Sequence, residues 1–122
     1  MPAADAASIP VIRLFDQRDI LFLRSAPGYD PQMETGFRRR RREIFRAYLR
    51  GLRAEFLAAR QLTPRFLRCR MRFACALIPA YLCLFRYRWG LGGSHLEPVV
   101  QRLERVCGEM RRLISEISEP RH

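Results

Sequence analysis

The sequence contains no lysine and no asparagine, although 23 of its 122 residues are basic. Every basic side chain is therefore an arginine. Because Lys and Asn are both specified by A-rich codons, a GC-rich coding sequence accounts for this choice, and the identity of the basic residue carries little functional information. The formal net charge of +11 carries more, because a strongly positive field attracts nucleic acid, acidic proteins and anionic lipid.

Cysteine and histidine are present, but their spacing argues against the common metal sites. The four cysteines form no CxxC pair, and the chain has only two histidines. We therefore expect no structural metal and no cofactor. The cysteines lie in apolar helical stretches, and the sequence does not open with a basic segment followed by an apolar one, so we expect reduced thiols in a cytoplasmic protein.

Motifs for catalysis are also missing. No GxSxG, no HExxH and no pair of carboxylates on a common helix face occurs, and neither His95 nor Cys107 has a partner in a recognisable motif. We therefore expect neither an enzyme nor a small-molecule substrate. The glycine-rich segment 90–93 lacks the lysine and the spacing of a P-loop, so we interpret it as a connection between helices.

Helix signals divide the rest of the chain. Two pairs combine an N-cap residue with a proline at the first helical position, and a third signal is a serine–glutamate capping box. These signals are Asp30-Pro31, Thr63-Pro64, and Ser94 with Glu97. Apolar residues recur at helical spacing between them. The sequence therefore predicts an all-α fold, a three-helix bundle with helices at about residues 31–61, 64–89 and 95–118.

The segments outside the three helices are short. We expect residues 1–8 and 119–122 to be tails of a single domain that spans residues 9–118. Residues 9–23 contain two short apolar runs that fit either a short hairpin or a helix, because runs of this length do not distinguish the two periods. We expect this segment to pack on the central helix.

A run of five arginines is the most conspicuous cluster of charge. Five consecutive helical residues span more than one circumference, and Arg41 falls within the apolar stripe, so the run cannot lie entirely on one solvent face. Either the guanidinium groups reach water by snorkelling, with Arg41 meeting Asp16 or Asp19, or the run binds phosphates or an acidic partner. The candidate anion-binding residues are Arg38, Arg39, Arg40, Arg41 and Arg42.

The segment from Phe73 to Phe85 is apolar around its whole circumference. A helix in a three-helix bundle is only partly covered, so this segment needs cover from residues 9–23, from another subunit or from lipid. At about 1.5 Å per residue it is roughly 20 Å long, short of the ~30 Å core of a bilayer, which disfavours a membrane-spanning helix. We expect a kink near Ile78, caused by Pro79. The candidate interface residues are Phe73, Leu77, Ile78, Tyr81, Leu82, Leu84 and Phe85.

These features predict a non-catalytic interaction or assembly protein, whose partner is another protein or a second copy of the chain. Two alternatives stay open. The arginine run predicts a sequence-independent binder of nucleic-acid backbone, although the aromatic residues of the first long helix fall on its buried stripe and are not placed to stack on bases. The apolar segment and its arginine flanks predict a membrane-associated protein.

Overall fold

The computed structural model describes residues 9–59, 63–90 and 96–118, which contain no strand. A short 3₁₀ helix, Val11–Arg13, is followed by α1 (Gln17–Ser25), α2 (Pro31–Ala59), α3 (Pro64–Arg88) and α4 (Leu96–Ser118). The three long helices pack together, which confirms the predicted all-α bundle. The expected tails, the Ser94 cap and His95 lie outside the described residues.

The helix ends show why the long helices begin and stop where they do. The Thr63 hydroxyl accepts a hydrogen bond from the Phe66 amide at 3.2 Å, and the Asp30 carboxylate accepts one from the Gln32 amide at 3.1 Å. Both residues therefore act as the N-caps that the sequence predicts. At the other end of α3, Gly90 has a φ of +78°, the left-handed conformation that glycine adopts most easily.

Contacts between named residues fix the directions of the helices. Residue pairs between α2 and α3, and between α3 and α4, run in opposite chain order, so these neighbours are antiparallel. Between α2 and α4 the order is the same, so these two helices are parallel. The pairs are Phe56 with Phe66 and Arg53 with Tyr81, Cys69 with Val106 and Arg65 with Glu116, and Tyr48 with Glu104 and Glu55 with Arg111.

The core lies between the three long helices and is continuous along the bundle. It is built from side chains on one stripe of each helix, including Phe45 and Leu49 of α2 and Leu103 and Met110 of α4. The predicted stripe of α4 is buried from Leu96 to Leu113. Amphipathic periodicity alone therefore identifies the inward side of α2 and α4.

The N-terminal segment is helical and is not a hairpin. Its Leu14, Phe15 and Ile20 are completely buried. The Phe15 ring stacks on Tyr87 with 4.3 Å between ring centroids and meets Phe45 edge-on at 5.2 Å. Phe15 thus contacts the C-terminal end of the central helix, α3, while the 3₁₀ helix packs on α4 and α1 packs on α2. The segment leaves the outer side of the 73–85 stretch uncovered.

Helix α3 continues as one element through Pro79, from Pro64 to Arg88. Within the described ranges, no helix combines the length and the apolar character that crossing a bilayer requires.

Candidate interaction surfaces

The structure separates the five members of the arginine run. Arg39 and Arg40 are exposed, whereas Arg38, Arg41 and Arg42 are partly buried. The run is therefore not one continuous platform, and each buried member has its own surroundings.

Arg41 joins α2 to the N-terminal segment. Its Nη1 lies 3.1 Å from an Asp19 carboxylate oxygen and donates to the Leu14 carbonyl at 3.3 Å. Its guanidinium also lies 4.6 Å from the centroid of the Phe37 ring. Asp19 is one of the two carboxylates expected to meet Arg41, and the contacts place this arginine inside the fold.

Arg38 is held between the beginning of α2 and the end of α3. Its Nη2 pairs with Glu34 at 3.0 Å, and its guanidinium lies 5.6 Å from the centroid of the Tyr87 ring. A Cβ added to Gly90 would stand 2.5 Å from Nη1 of Arg38, so the glycine provides the space that this side chain occupies. The end of α3 and the beginning of α2 are therefore fitted to each other around Arg38.

Glu34 connects this region to α1. Its carboxylate accepts hydrogen bonds from Arg24 at 2.7 Å and from the Tyr29 hydroxyl at 2.8 Å, in addition to the Arg38 pair. These bonds, the Arg24 bond foremost, lower the pKa of Glu34 from 4.5 to about 2. One carboxylate thus serves two guanidinium groups.

Arg42 differs from Arg38 and Arg41 because no carboxylate of the described residues pairs with it. Burial lowers its pKa first, and the neighbouring positive charges of Arg46 and Arg88 add to that effect. Arg42 lines a cleft between the beginning of α2 and the end of α3, which we call the Arg42 cleft. Its lining residues are Glu34, Thr35, Arg38, Arg42, Arg88 and Trp89.

The second notable surface belongs to α3, which has two apolar stripes. One is buried in the bundle and includes the small residues Cys69, Ala76 and Ala80, which let α2 and α4 approach closely. The full buried set is Phe66, Cys69, Phe73, Ala76, Ala80, Leu84 and Tyr87. The other stripe is exposed, and we call it the outer face of α3: Met71, Cys75, Ile78, Leu82, Phe85 and Trp89.

The outer face is long, narrow and directed away from the core. At about 100° per residue, its six members fall within about 80° of the circumference, centred opposite the buried stripe. From Met71 to Trp89 it extends about 27 Å at about 1.5 Å per residue. Its members other than Cys75 are between 54% and 69% exposed. Apolar side chains of this size are therefore presented to solvent in an unbroken row.

The predicted interface residues divide between the two stripes. Phe73 and Leu84 belong to the core and are not available to a partner, which corrects their assignment to a surface. Leu77 is half-buried, whereas Ile78, Tyr81, Leu82 and Phe85 are exposed. The correction has a simple cause: a stretch that is apolar all round contains both stripes, and periodicity does not say which one faces the bundle.

Sequence reasoning missed three members of the outer face: Met71, Cys75 and Trp89. Their signal was present, because the six residues recur at alternating steps of four and three. Met71 and Trp89 lie beyond the 73–85 stretch, where the flanking arginines obscured the continuation of the stripe, and Cys75 lies inside the stretch but was interpreted only as an apolar helical thiol.

Arginines border the outer face on both sides. Arg68 and Arg86 project along one border and Arg70 and Arg88 along the other, at about 100° per residue. Helix α3 contains no Asp or Glu. The remaining arginines of α3 pair with α4, Arg65 with Glu116 and Arg72 with Glu109. Within the described ranges no carboxylate pairs with the four bordering arginines.

The four cysteines are free thiols that differ in access. Cys69 and Cys107 are buried, and burial raises the pKa of Cys107 to about 11. Cys75 is exposed on the outer face, one turn from Met71. A buried thiol with a raised pKa is a poor nucleophile. We therefore interpret Cys69 and Cys107 as residues that pack in the core.

Comparisons with known proteins identify no relative of this chain. No protein-family model matches the sequence, no curated protein is detectably similar to it, and no solved structure matches the fold. The candidate functional sites are therefore the two surfaces described above, the outer face of α3 and the Arg42 cleft.

Proposed function

We propose that this chain is a non-catalytic interaction protein that binds an acidic amphipathic helix of a protein partner along the outer face of α3. The observation that supports this most strongly is the exposed second stripe of a helix whose first stripe is already buried. A continuous row of large apolar side chains on the surface of a folded protein is typical of an interaction site.

The shape of the outer face favours a helix as the partner. Steps of four and three residues are the spacing at which side chains of one helix insert between those of another. The narrow width also matters, because a strict stripe of this kind is a helix–helix seam, whereas broader apolar stripes face a core. A helix that lies in a lipid surface presents a large apolar face to the lipid. In this bundle only a narrow apolar stripe of α3 is exposed.

The bordering arginines favour an acidic partner over a second copy of the chain. If two copies met through their outer faces, Arg68, Arg70, Arg86 and Arg88 of each would face the same positive set on the other. Like charges brought together across an interface are destabilising, and α3 offers no carboxylate to relieve them. Asp or Glu at the borders of a partner helix would pair with arginines on both sides.

Apolar burial and charge have different effects in this arrangement. An exposed arginine–carboxylate pair contributes about 0.2 to 1 kcal/mol. The four bordering arginines therefore set the orientation of the partner helix and its association rate more than its affinity. Burial of apolar surface contributes about 25 cal/mol per Å² and supplies the main driving force. Phe85 and Trp89 are expected to contribute most, because large aromatic residues dominate interface energetics.

A synthetic helical peptide tests the proposal directly. The probe is a tryptophan-free, four-heptad peptide with Leu at positions a and d and Glu at e and g. The chain contains one tryptophan, Trp89, so its fluorescence reports binding at the outer face without a label. We expect a saturable blue shift with the acidic peptide and none with a matched peptide that has Lys in place of Glu.

Substitutions at two exposed residues identify the surface that binds the peptide. Leu82→Ser removes a central member of the outer face and should weaken binding by roughly tenfold, the effect of about 1.4 kcal/mol. Phe22→Ser is the matched control, because Phe22 lies on α1 and is 78% exposed. The control should bind as the original chain does.

Three results would overturn the proposal. The first is equal binding of both peptides, or equal loss in both variants. The second is a dimer in light scattering that Leu82→Ser dissociates, which would assign the outer face to a second copy of the chain. The third is binding to vesicles of phosphatidylglycerol and phosphatidylcholine with no binding to the peptide, which would assign it to lipid.

A further inference from the structure

The Arg42 cleft has a size and a position that set it apart from the outer face. It opens between the first turns of α2 and the last turn of α3, with a volume of about 240 Å³. A single water needs only about 10 to 15 Å³ of such space, so the cleft has room for a larger polar group. Trp89 forms one wall, and the opposite wall is built by side chains of α2.

Positive charge in the cleft exceeds negative charge. The cleft is lined by three arginines, Arg38, Arg42 and Arg88, and by one carboxylate, Glu34. That carboxylate is already engaged by Arg24 at 2.7 Å and by Arg38 at 3.0 Å. Among the described residues, Arg42 and Arg88 have no carboxylate partner.

The charge of Arg42 is also partly removed from water. Its Nε is inaccessible to solvent and has no hydrogen-bond acceptor. A guanidinium in such surroundings has lost hydration without gaining a counter-charge, which is unfavourable. The arrival of an anion beside the accessible part of the group would relieve this cost.

Neighbouring groups hold Arg38 in place, and Arg88 lies near the Trp89 ring. Arg38 is fixed between Glu34, the Tyr87 ring and Gly90. The guanidinium of Arg88 lies 5.8 Å from the centroid of the Trp89 ring. Donors that are already ordered lose little side-chain entropy when a ligand binds.

We propose that the Arg42 cleft binds the phosphate group of a phosphate monoester. Arg42 and Arg88 supply the forked donors that fit phosphate oxygens, and Arg38 adds a third positive charge. A dianionic monoester balances the excess of positive charge better than a phosphodiester, which has a single negative charge. The cleft also holds one compact group, whereas a nucleic-acid chain requires a groove that follows its backbone.

This site shares Arg88 and Trp89 with the outer face but differs from it in ligand and in direction of entry. Its ligand is polar and enters between α2 and α3, and the outer face receives an apolar helix. The test below contains no peptide, so its failure and the failure of the proposed function are distinguishable.

Fluorescence of Trp89 again provides the readout. The probes are sodium phosphate, methyl phosphate and dimethyl phosphate, each titrated at mildly alkaline pH and compared with sodium chloride at equal ionic strength. We expect a saturable change with inorganic phosphate and with the monoester, roughly tenfold weaker binding of the diester because it lacks the second charge, and no saturable change with chloride.

Substitutions assign the binding to the cleft. Arg42→Gln and Arg88→Gln should each weaken phosphate binding by roughly tenfold, because each removes a charge-assisted donor fork. Arg40→Gln removes the same charge from an exposed position of the same run and should change binding by less than about twofold, as expected for a screened surface charge. Far-UV circular dichroism verifies that the variants are folded, and two cleft variants at opposite walls provide independent measurements.

Equal weakening by Arg40→Gln and Arg42→Gln would overturn the site, because binding would then follow net charge. A chloride titration that reproduces the phosphate curve would overturn it as well. Equal affinity for dimethyl phosphate and methyl phosphate would contradict the monoester specificity and would point to a phosphodiester of nucleic acid or lipid.

Discussion

At the scale of single residues, Gly90 links the end of α3 to the packing of Arg38. Its φ of +78° is costly for any residue with a Cβ, and an added Cβ would stand 2.5 Å from Nη1 of Arg38. We expect Gly90→Ala to lower the free energy of unfolding by about 1 to 2 kcal/mol, the cost of the left-handed conformation. Urea unfolding followed by circular dichroism measures the change.

Gly108 provides the control for this substitution. It lies inside α4, and a Cβ there would meet nothing within 4 Å. Gly108→Ala should therefore raise the free energy of unfolding by about 0.5 to 1 kcal/mol, because alanine favours the helix. Destabilisation by both substitutions would contradict this account of the α3 end.

Glu34 makes the stability of the fold dependent on acid. Hydrogen bonds, chiefly from Arg24, lower its pKa from 4.5 to about 2, so its contribution to stability is fully present above the unfolded value and is lost as the pH falls through the folded one. We expect the urea midpoint to decrease over this range of pH. Glu34→Gln should lower the midpoint at neutral pH and make it less dependent on acid.

Part of the acid dependence should survive in Glu34→Gln. Hydrogen bonds from Arg18 lower the pKa of Asp16 to about 2 as well, so a second carboxylate titrates in the same range. An unchanged slope of midpoint against pH in Glu34→Gln would show that Glu34 is not a linkage between α1 and α2.

The arginine run also shows what sequence analysis can predict about residues. Helical geometry was sufficient to separate Arg41 from its neighbours and to direct it to Asp16 or Asp19, and the structure pairs it with Asp19. It did not predict the surroundings of Arg38 or Arg42, because Tyr87, Arg88 and Gly90 are distant in the chain. Those contacts arise only when the beginning of α2 meets the end of α3.

At the scale of elements, the N-terminal segment is a structural part of the bundle. Phe15 is completely buried between Tyr87 and Phe45, whereas Phe22, seven positions later, is 78% exposed. We expect Phe15→Ala to lower the free energy of unfolding by about 3 to 5 kcal/mol, the usual cost of removing a buried aromatic ring. Thermal and urea unfolding provide the measurement.

Phe22→Ala is the matched control on the same segment. It should change the free energy of unfolding by no more than about 0.5 kcal/mol, because the side chain makes few buried contacts. Equal, small effects of both substitutions would mean that the N-terminal segment does not pack on α3 in solution.

Prediction of elements from the sequence succeeded where only one stripe was apolar. In α4 most residues that recur at helical spacing from Leu96 to Leu113 are buried, whereas Ile117, in the last turn, is 52% exposed. In α3 two opposite stripes are apolar, and the sequence does not distinguish them by hydrophobicity. Side-chain size does not distinguish them either, because the buried stripe combines the small Cys69, Ala76 and Ala80 with four large residues, Phe66, Phe73, Leu84 and Tyr87.

At the scale of the whole molecule, the fold follows from three amphipathic patterns and their caps, and the proposed function depends on the apolar surface that the fold leaves exposed. The bundle covers one side of α3 and leaves the outer face to solvent, between arginines that have no carboxylate partners among the described residues. The net charge of +11 alone would favour any anion. The placement of part of this positive charge along the borders of the outer face is what favours an acidic helix as the partner.

Cys75 allows a direct test of helix binding at the outer face, because its exposed thiol belongs to that face, one turn from Met71. The measurement is the rate of alkylation of each cysteine by N-ethylmaleimide, followed by peptide mass spectrometry, with and without a saturating amount of the acidic four-heptad peptide. Cys83, half-buried on another side of α3, serves as the internal reference. The account predicts that the peptide slows alkylation of Cys75 by roughly tenfold or more, as expected when a helix covers the seam, and leaves Cys83 unchanged. An unchanged rate at Cys75 would contradict it.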